Sequence, residues 1–262
     1  MMHEQLDRII AQCPYKIHVI VEDYNTNDIV WKSRDEEIFS SASIIKVPIL
    51  IAILAHLQKT DGNLNRICEI APENMVDFSV ITEQGQTRAT LHELLLWMTI
   101  TSDNTATNVC IDLLGIDAIN NYFKEIGLHN TRVQRKMMDF ERQKLGFDNE
   151  TTARDMQHLF RQIYRGTLLT KEWNSVALDI LSRQRSHESL KRYIVDDVKM
   201  AHKTGGLDAV DHDAGIIFAK ERDYFIGVFI TEVTDNENAR QTIGTISKIV
   251  YDHFTKLEEG LD

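Results

Sequence analysis

Residues 44–54 read Ile-Ile-Lys-Val-Pro-Ile-Leu-Ile-Ala-Ile-Leu, an apolar run interrupted by a single charge. Such a run, wound as a helix, has no face suited to water, so protein must enclose it on all sides. A chain of 262 residues with 43% hydrophobic content can do this as one large domain or as two parts sharing a core. Ser40, Ser41 and Ser43 precede the run and are candidate caps for its first turn. Pro48 sits early in it, where a missing N–H is harmless only if that turn leaves it unpaired anyway. Lys46 follows Ser43 by three residues, and positions three apart share a helix face, so its amine can reach the hydroxyl. Burial drives a lysine toward its neutral, basic form. The helix start also offers free N–H groups to a developing oxyanion. The bland alternative is a core helix opened by a capping serine.

Two further strings bear on that choice. Ser102-Asp103-Asn104 separates the helical segment 91–100 from a second apolar helix running through Val109, Ile111, Leu113 and Leu114 to Gly115. Lys203-Thr204-Gly205 precedes two β-branched and aromatic runs, 214–219 and 224–230, that read as antiparallel strands. Ser, Asp and Asn between helices are ordinary loop chemistry, and glycines beside an edge strand let a substrate backbone approach. By chance, S-x-x-K occurs about once in a chain of this length and a given tripeptide in roughly one such chain in twenty. All three in order supply a nucleophile, two lysines and a second hydroxyl, the parts for acyl transfer without a histidine base.

With these strings, the passage Trp97–Gly115 and the threonine-rich stretch Thr151–Met156, the chain resembles the class A β-lactamases and their penicillin-recognising relatives over nearly its whole length. The resemblance implies an α/β (α+β) fold: an antiparallel sheet flanked by helices, a mostly helical lobe, and an active site in the cleft between. It implies that Ser43 is acylated, that Lys46 accepts its proton, and that Ser102 passes a proton to the departing nitrogen. Lys203 and Thr204 would attract a substrate carboxylate, Asn104 would hold the substrate amide and Lys46, and Gly205 would line the site. The N–H groups of Ser43 and Gly206 would form the oxyanion hole.

Two departures stand out. The family's omega loop reads R-x-E-x-x-L-N, and its glutamate activates the deacylating water; here residues 135–141 read Arg-Lys-Met-Met-Asp-Phe-Glu. Met137 occupies the glutamate's place, and a thioether cannot serve as a base. Glu141, with Asp139 behind it, is the candidate replacement, against the plain reading of both as solvated loop carboxylates. The strand after Lys203-Thr204-Gly205 carries Asp211-His212-Asp213 in place of the arginine that many relatives use for the substrate carboxylate. His212 could supply part of that charge. A metal site is disfavoured because adjacent strand residues alternate faces. No metal and no cofactor is expected.

The coarse order is a terminal helix, strands near 17–24 and 28–32, a helical middle, two strands, and a last helix with Ile243, Ile246, Val250 and Phe254 at helical spacing. One catalytic domain over 1–262 follows, with a sheet lobe of about 1–40 and 195–262 and a helical lobe of about 41–194. A net charge of -11 argues against nucleic acid and anionic membranes as partners. No stretch reads as long and apolar enough to span a membrane. The first residues lack a secretory pattern and the cysteine number is odd, so the expected address is cytoplasmic, or exported if a signal has been removed. The functional expectation is a serine hydrolase acting on a β-lactam, or on a related small amide or ester, through an acyl-enzyme. The alternatives are an esterase or D-amino-acid peptidase, or a penicillin-binding sensor that acylates and stalls. Oligomeric state is not readable.

Overall fold

A computed structural model describes residues 2–255; residue 1 and residues 256–262, the two ends of the expected sheet lobe, lie outside the described residues. The chain opens with helix α1 (Met2–Gln12) and strands β1 (Lys16–Asp23) and β2 (Ile29–Ser33), and returns to the same sheet only after residue 198. There β7 (Lys199–Leu207), β8 (Val210–Phe218) and β9 (Tyr224–Thr231) complete an antiparallel sheet of order β2-β1-β9-β8-β7, and α10 (Asn236–Thr255) follows. Sequence reasoning expected two of these last three strands. It missed β7 because Lys-Met-Ala-His-Lys-Thr-Gly-Gly-Leu has neither alternation nor β-branched enrichment, and its strand state comes from pairing with β8.

The sheet is buried on both faces, and strand alternation sorts its side chains between two cores. Val19, Val21, Ile226, Val228 and Ile230 pack with α1 and α10, where Ile243, Ile246, Val250 and Phe254 are all buried. Ile20, Phe225, Phe229 and Ile216 face the opposite way, toward the helical body. That body comprises α2 (Lys46–Thr60), α3 (Val80–Glu83), α4 (Leu91–Ile100), α5 (Asn104–Leu114), α6 (Ile116–Glu125), α7 (Phe140–Lys144), α8 (Ala153–Arg165) and α9 (Lys171–Ser182). Two short pairs, β3 (Phe39–Ser40) with β6 (Glu150–Thr151) and β4 (Ile67–Glu69) with β5 (Arg88–Thr90), tie its loops together.

Helix α2 is the axis of this body. Ile49, Leu50, Ile51, Ile53 and Leu54 are fully buried, each contributing about 1.5–3 kcal/mol by leaving water. With the 3-10 turn before it, the helix runs over Ala42–Thr60, which is long and apolar enough to cross a membrane. This corrects the expectation that no stretch is; here 72% of that helix's window is covered by the rest of the fold. Pro48 is the third residue of α2, where no i−4 hydrogen bond is lost.

Candidate active site

Ser43 lies in the 3-10 turn Ala42–Ile45, and Lys46 opens α2 directly behind it. In a 3-10 turn residues i and i+3 eclipse, which sets Lys46 beneath Ser43 more squarely than an α-helix would. The expected serine caps are absent. Ser40 donates to Asp148 Oδ2 at 2.6 Å, and Ser41 donates to Ala42 O at 3.3 Å and Asn149 O at 3.0 Å. The turn is instead secured from outside. Edge strand β7 lies against it, and a Cβ on Gly205 would sit 3.1 Å from the backbone nitrogens of both Ser43 and Ile44. Glycine leaves room for that approach, where any side chain would press on the turn, and it brings the Ser43 N–H beside the strand edge. Gly206, the other expected oxyanion donor, is exposed on the same edge.

The Lys46 amine is fully buried and lies 2.5 Å from Ser102 O, 3.1 Å from Ser102 Oγ and 2.8 Å from Asn104 Oδ1. Lys203 is equally buried and reaches Ser102 Oγ at 3.2 Å from the other side, with a second bond to Thr204 O at 2.7 Å. Two lysines from distant parts of the chain thus converge on one hydroxyl. Burial, reinforced by the Lys203 charge, holds Lys46 well below the ordinary lysine range. Burial also brings Lys203 down to about 7, opposed by Asp213. Burial thus favours the free amine at Lys46, the form that can act as a base, while near pH 7 a substantial share of Lys203 remains ammonium.

Ser102 has φ +60, a left-handed conformation costing a non-glycine residue about 1 kcal/mol or more. Its neighbours hold it there. Buried Asp103 caps α5 through Ala106 N at 2.8 Å and accepts Ser79 Oγ at 2.9 Å and Ile81 N at 3.1 Å. Asn104 donates through Nδ2 to Asp77 O at 3.2 Å while its Oδ1 accepts from Lys46. Between those anchors sits Phe78, 78% exposed and itself at φ +56, whose carbonyl accepts from Asn104 N. Sequence reasoning missed this aromatic rim residue; its only signal was a Phe flanked by Asp77 and Ser79 on a polar loop.

The omega-loop residues divide. Arg135 is buried against Asp148, with Nε 2.8 Å from Oδ1. Met137 is buried in the helical core, its N–H donating to Asn108 Oδ1 at 2.7 Å and its carbonyl accepting from Asn108 Nδ2 at 3.3 Å. Glu141 is not brought to the lysine cluster: its side chain is 85% exposed on α7 and pairs with Lys144 at 2.8 Å. Asp139 caps α7 through Arg142 N. His212 does not face the cleft either. It is fully buried, with Nδ1 2.8 Å from Asp211 O and Nε2 2.9 Å from Ser40 O, and burial lowers it to about 4. Its expected part in substrate charge recognition is therefore withdrawn. Thr204 is half-buried beside Lys203. Among the described residues, no three His, Cys, Asp or Glu side chains converge as metal ligands. Cys110 is fully buried, which pushes its thiol far above the reactive range.

Residues 1–254 match the model of the family described as the β-lactamase enzyme family. The chain belongs to that family. Among curated relatives it is 24% identical to β-lactamase VEB-1 of Pseudomonas aeruginosa over 95% of this chain and 89% of that protein. It is 27% identical to β-lactamase AER-1 of Aeromonas hydrophila, over 90% and 80% of the two chains. The fold matches that of a β-lactamase from Chitinophaga pinensis with a TM-score of 0.90 at 22% identity, covering 96% and 98% of the two chains. It also matches PBP-A, with a TM-score of 0.89 at 25% identity over 97% and 96% of the two chains. A leucine-to-glutamate variant of PBP-A, captured as its acyl-enzyme with penicillin G, is equally similar, with a TM-score of 0.90.

Proposed function

We propose that this family member is a serine hydrolase that opens a β-lactam or related amide through an acyl-enzyme on Ser43, with efficient acylation and slow deacylation. The observation that carries the reading is the meeting of two fully buried lysines on the Ser102 hydroxyl, with Asn104 on the first of them. Lys46, driven by burial toward its unprotonated form, takes the Ser43 proton as Oγ attacks the carbonyl carbon. The oxyanion forms against the N–H groups of Ser43 and Gly206, each such donor being worth ~3 kcal/mol. The C–N bond then breaks, and the nitrogen takes its proton from Ser102, which is replenished from the lysines. The ammonium of Lys203 and the Thr204 hydroxyl suit a substrate carboxylate.

Hydrolysis of the ester needs a water and a base. Met137 supplies none, and Glu141 is turned to solvent. This favours a second reading for bulky penicillins, in which the adduct persists and the physiological substrate is a smaller amide, ester or D-amino-acid peptide. Mixing the purified protein with a chromogenic cephalosporin, while following colour and intact mass, tests the acyl-enzyme that both readings share. A persistent adduct with slow turnover is expected, and Ser43→Ala should abolish it. An adduct that survives in Ser43→Ala, or no adduct and no colour in the parent protein, rejects the assignment.

A further inference from the structure

The residue that opens the catalytic turn is strained. Ala42 holds φ +43, a left-handed conformation that a residue with a side chain keeps only where its surroundings enforce it. Strand β7 closes on the far end of the turn through Gly205, at the nitrogens of Ser43 and Ile44. A second hold, at Ser40 and Ser41, leaves Ala42 no room to relax. The omega loop supplies it on one side, where Ser40 Oγ donates to Asp148 Oδ2 at 2.6 Å and Ser41 N donates to Asn149 O at 2.8 Å. The sheet supplies it on the other, through His212. This residue is paired with Gly205 across the β7–β8 ladder, so the two share the sheet face on which the turn lies. Its Nε2 is 2.9 Å from Ser40 O, and Phe39 and Phe229 flank the buried ring with centroids 5.2 and 5.6 Å away.

We infer that His212 is a positioning residue for Ser43: its Nε2–H, donated to the Ser40 carbonyl, ties the strained turn to the strand pair that carries Lys203 and Gly206. The nucleophile and those two residues come from distant parts of the chain, and acyl transfer needs them in one register. Displacing a reacting group by about 1 Å can cost ~10²-fold in rate. The chemistry of the ring makes the inference specific. Both ring nitrogens face carbonyl oxygens, which only accept: Nδ1 lies 2.8 Å from Asp211 O, and Nε2 faces Ser40 O. Burial lowers His212 to about 4, so near pH 7 the ring is neutral and has a single N–H to donate. On Nδ1 that proton would serve only the preceding residue of the same strand. On Nε2 it joins the sheet to the turn, and Ser40 continues the connection to the omega loop through its own hydroxyl.

The inference deepens the proposed function and rests on it for the effect on acylation, while two of its readouts need no substrate. In parent protein carrying nitrogen-15 in its histidines, with the His212 signals identified by their loss in His212→Gln, Nε2 should hold the ring proton near pH 7. A bare Nε2 overturns the inference. Two variants then separate the two contacts, since a glutamine amide reaches the place of Nε2 and an asparagine amide only that of Nδ1. The Ile44 amide, bonded to Ser41 O inside the turn, should exchange its hydrogen at least ~10-fold faster in His212→Asn. In His212→Gln it should stay within about threefold of the parent. Equal rates in the two variants overturn the inference, and so does an equal acceleration across β9 in the middle of the sheet, the mark of a merely structural role. The rate of acylation by saturating benzylpenicillin should fall at least ~10-fold in His212→Asn, with the half-saturating concentration within about threefold, because Lys203 and Thr204 are untouched. A loss confined to the half-saturating concentration rejects it. If His212→Asn does not fold, the parent ring proton and the Ile44 exchange in His212→Gln decide. A parent that is not acylated would reject the functional reading alone, since ring proton and exchange stand apart from it.

Discussion

How long an acyl group stays on Ser43 should turn on residue 137 and not on the solvent-facing Glu141. Both backbone groups of Met137 are clamped by Asn108, so a substitution there changes the side chain while the backbone stays tied. Met137→Glu is expected to shorten the lifetime of the penicillin adduct by at least ~10-fold, since a positioned general base contributes about 10²–10⁴. Time-resolved intact mass measures it, and an unchanged lifetime would show that residue 137 does not address the ester. Burying a carboxylate there costs stability, so a lowered Tm should accompany the gain. Glu141→Gln, on an exposed side chain paired only with Lys144, should leave the lifetime within about twofold. Ser43, Lys46, Ser102, Asn104 and Lys203 were legible in the sequence because each belongs to a short local string. Phe78 and Asn108 were not, because their meaning arises only when Asn104 and Met137 are brought beside them.

At the scale of elements, the site hangs on the junction between α4 and α5. Asp103 caps α5 and reaches across to the start of α3, so one buried carboxylate joins two helices and holds Ser102 in its left-handed conformation. Asp103→Ala leaves Ser79 Oγ, Ile81 N and Ala106 N without that partner in a buried place. Loss of such charge-assisted bonds costs about 1.5–3 kcal/mol each, partly recovered by water. Acylation should fall by at least ~100-fold, because both lysines lose the hydroxyl on which they converge. Thermal unfolding and the acylation rate check this together. Near-parent acylation in a destabilised Asp103→Ala would show that the Ser102 conformation needs no such holder. Helices 91–100 and 104–114 are readable in the amino-acid sequence, from apolar periodicity and from Asp103 and Gly115 at the ends. The 3-10 turn at Ser43 is not, since Ala42–Ile45 carries no signal against an ordinary helix start and its geometry is imposed by β7 packing through Gly205. Strand β7 itself is another tertiary product: Lys203-Thr204-Gly205-Gly206 is strand because β8 pairs with it.

For the molecule as a whole, a site built on two buried lysines sets how stability varies with pH. Lys203 has its ordinary value of 10.5 in the unfolded chain and about 7 in the fold, where burial disfavours the charge. Below pH 7 both states hold the proton, and the cost of enclosing the ammonium is fully present. Between about 7 and 10.5 the unfolded chain binds more protons than the folded one, so the unfolding free energy rises with pH across that window. Lys46, displaced in the same direction, adds to the rise. The sign is opposite to that of a paired surface lysine, whose folded value is raised and whose contribution is lost at high pH. Lys203→Met removes the charge while keeping most of the volume. It should therefore raise Tm by several degrees at pH 6.5, each 1 kcal/mol being worth roughly 2–4 °C in a chain of this size. The advantage should shrink steadily toward pH 9.5, where the parent lysine is neutral in the fold. Acylation should be lost at every pH, because Ser102 would keep only one lysine. Denaturant unfolding of parent and variant at pH 6.5, 8 and 9.5 tests the account. Parallel curves separated by a constant amount would mean that Lys203 stays charged inside the fold throughout, and that the division of labour between the two lysines does not rest on its burial.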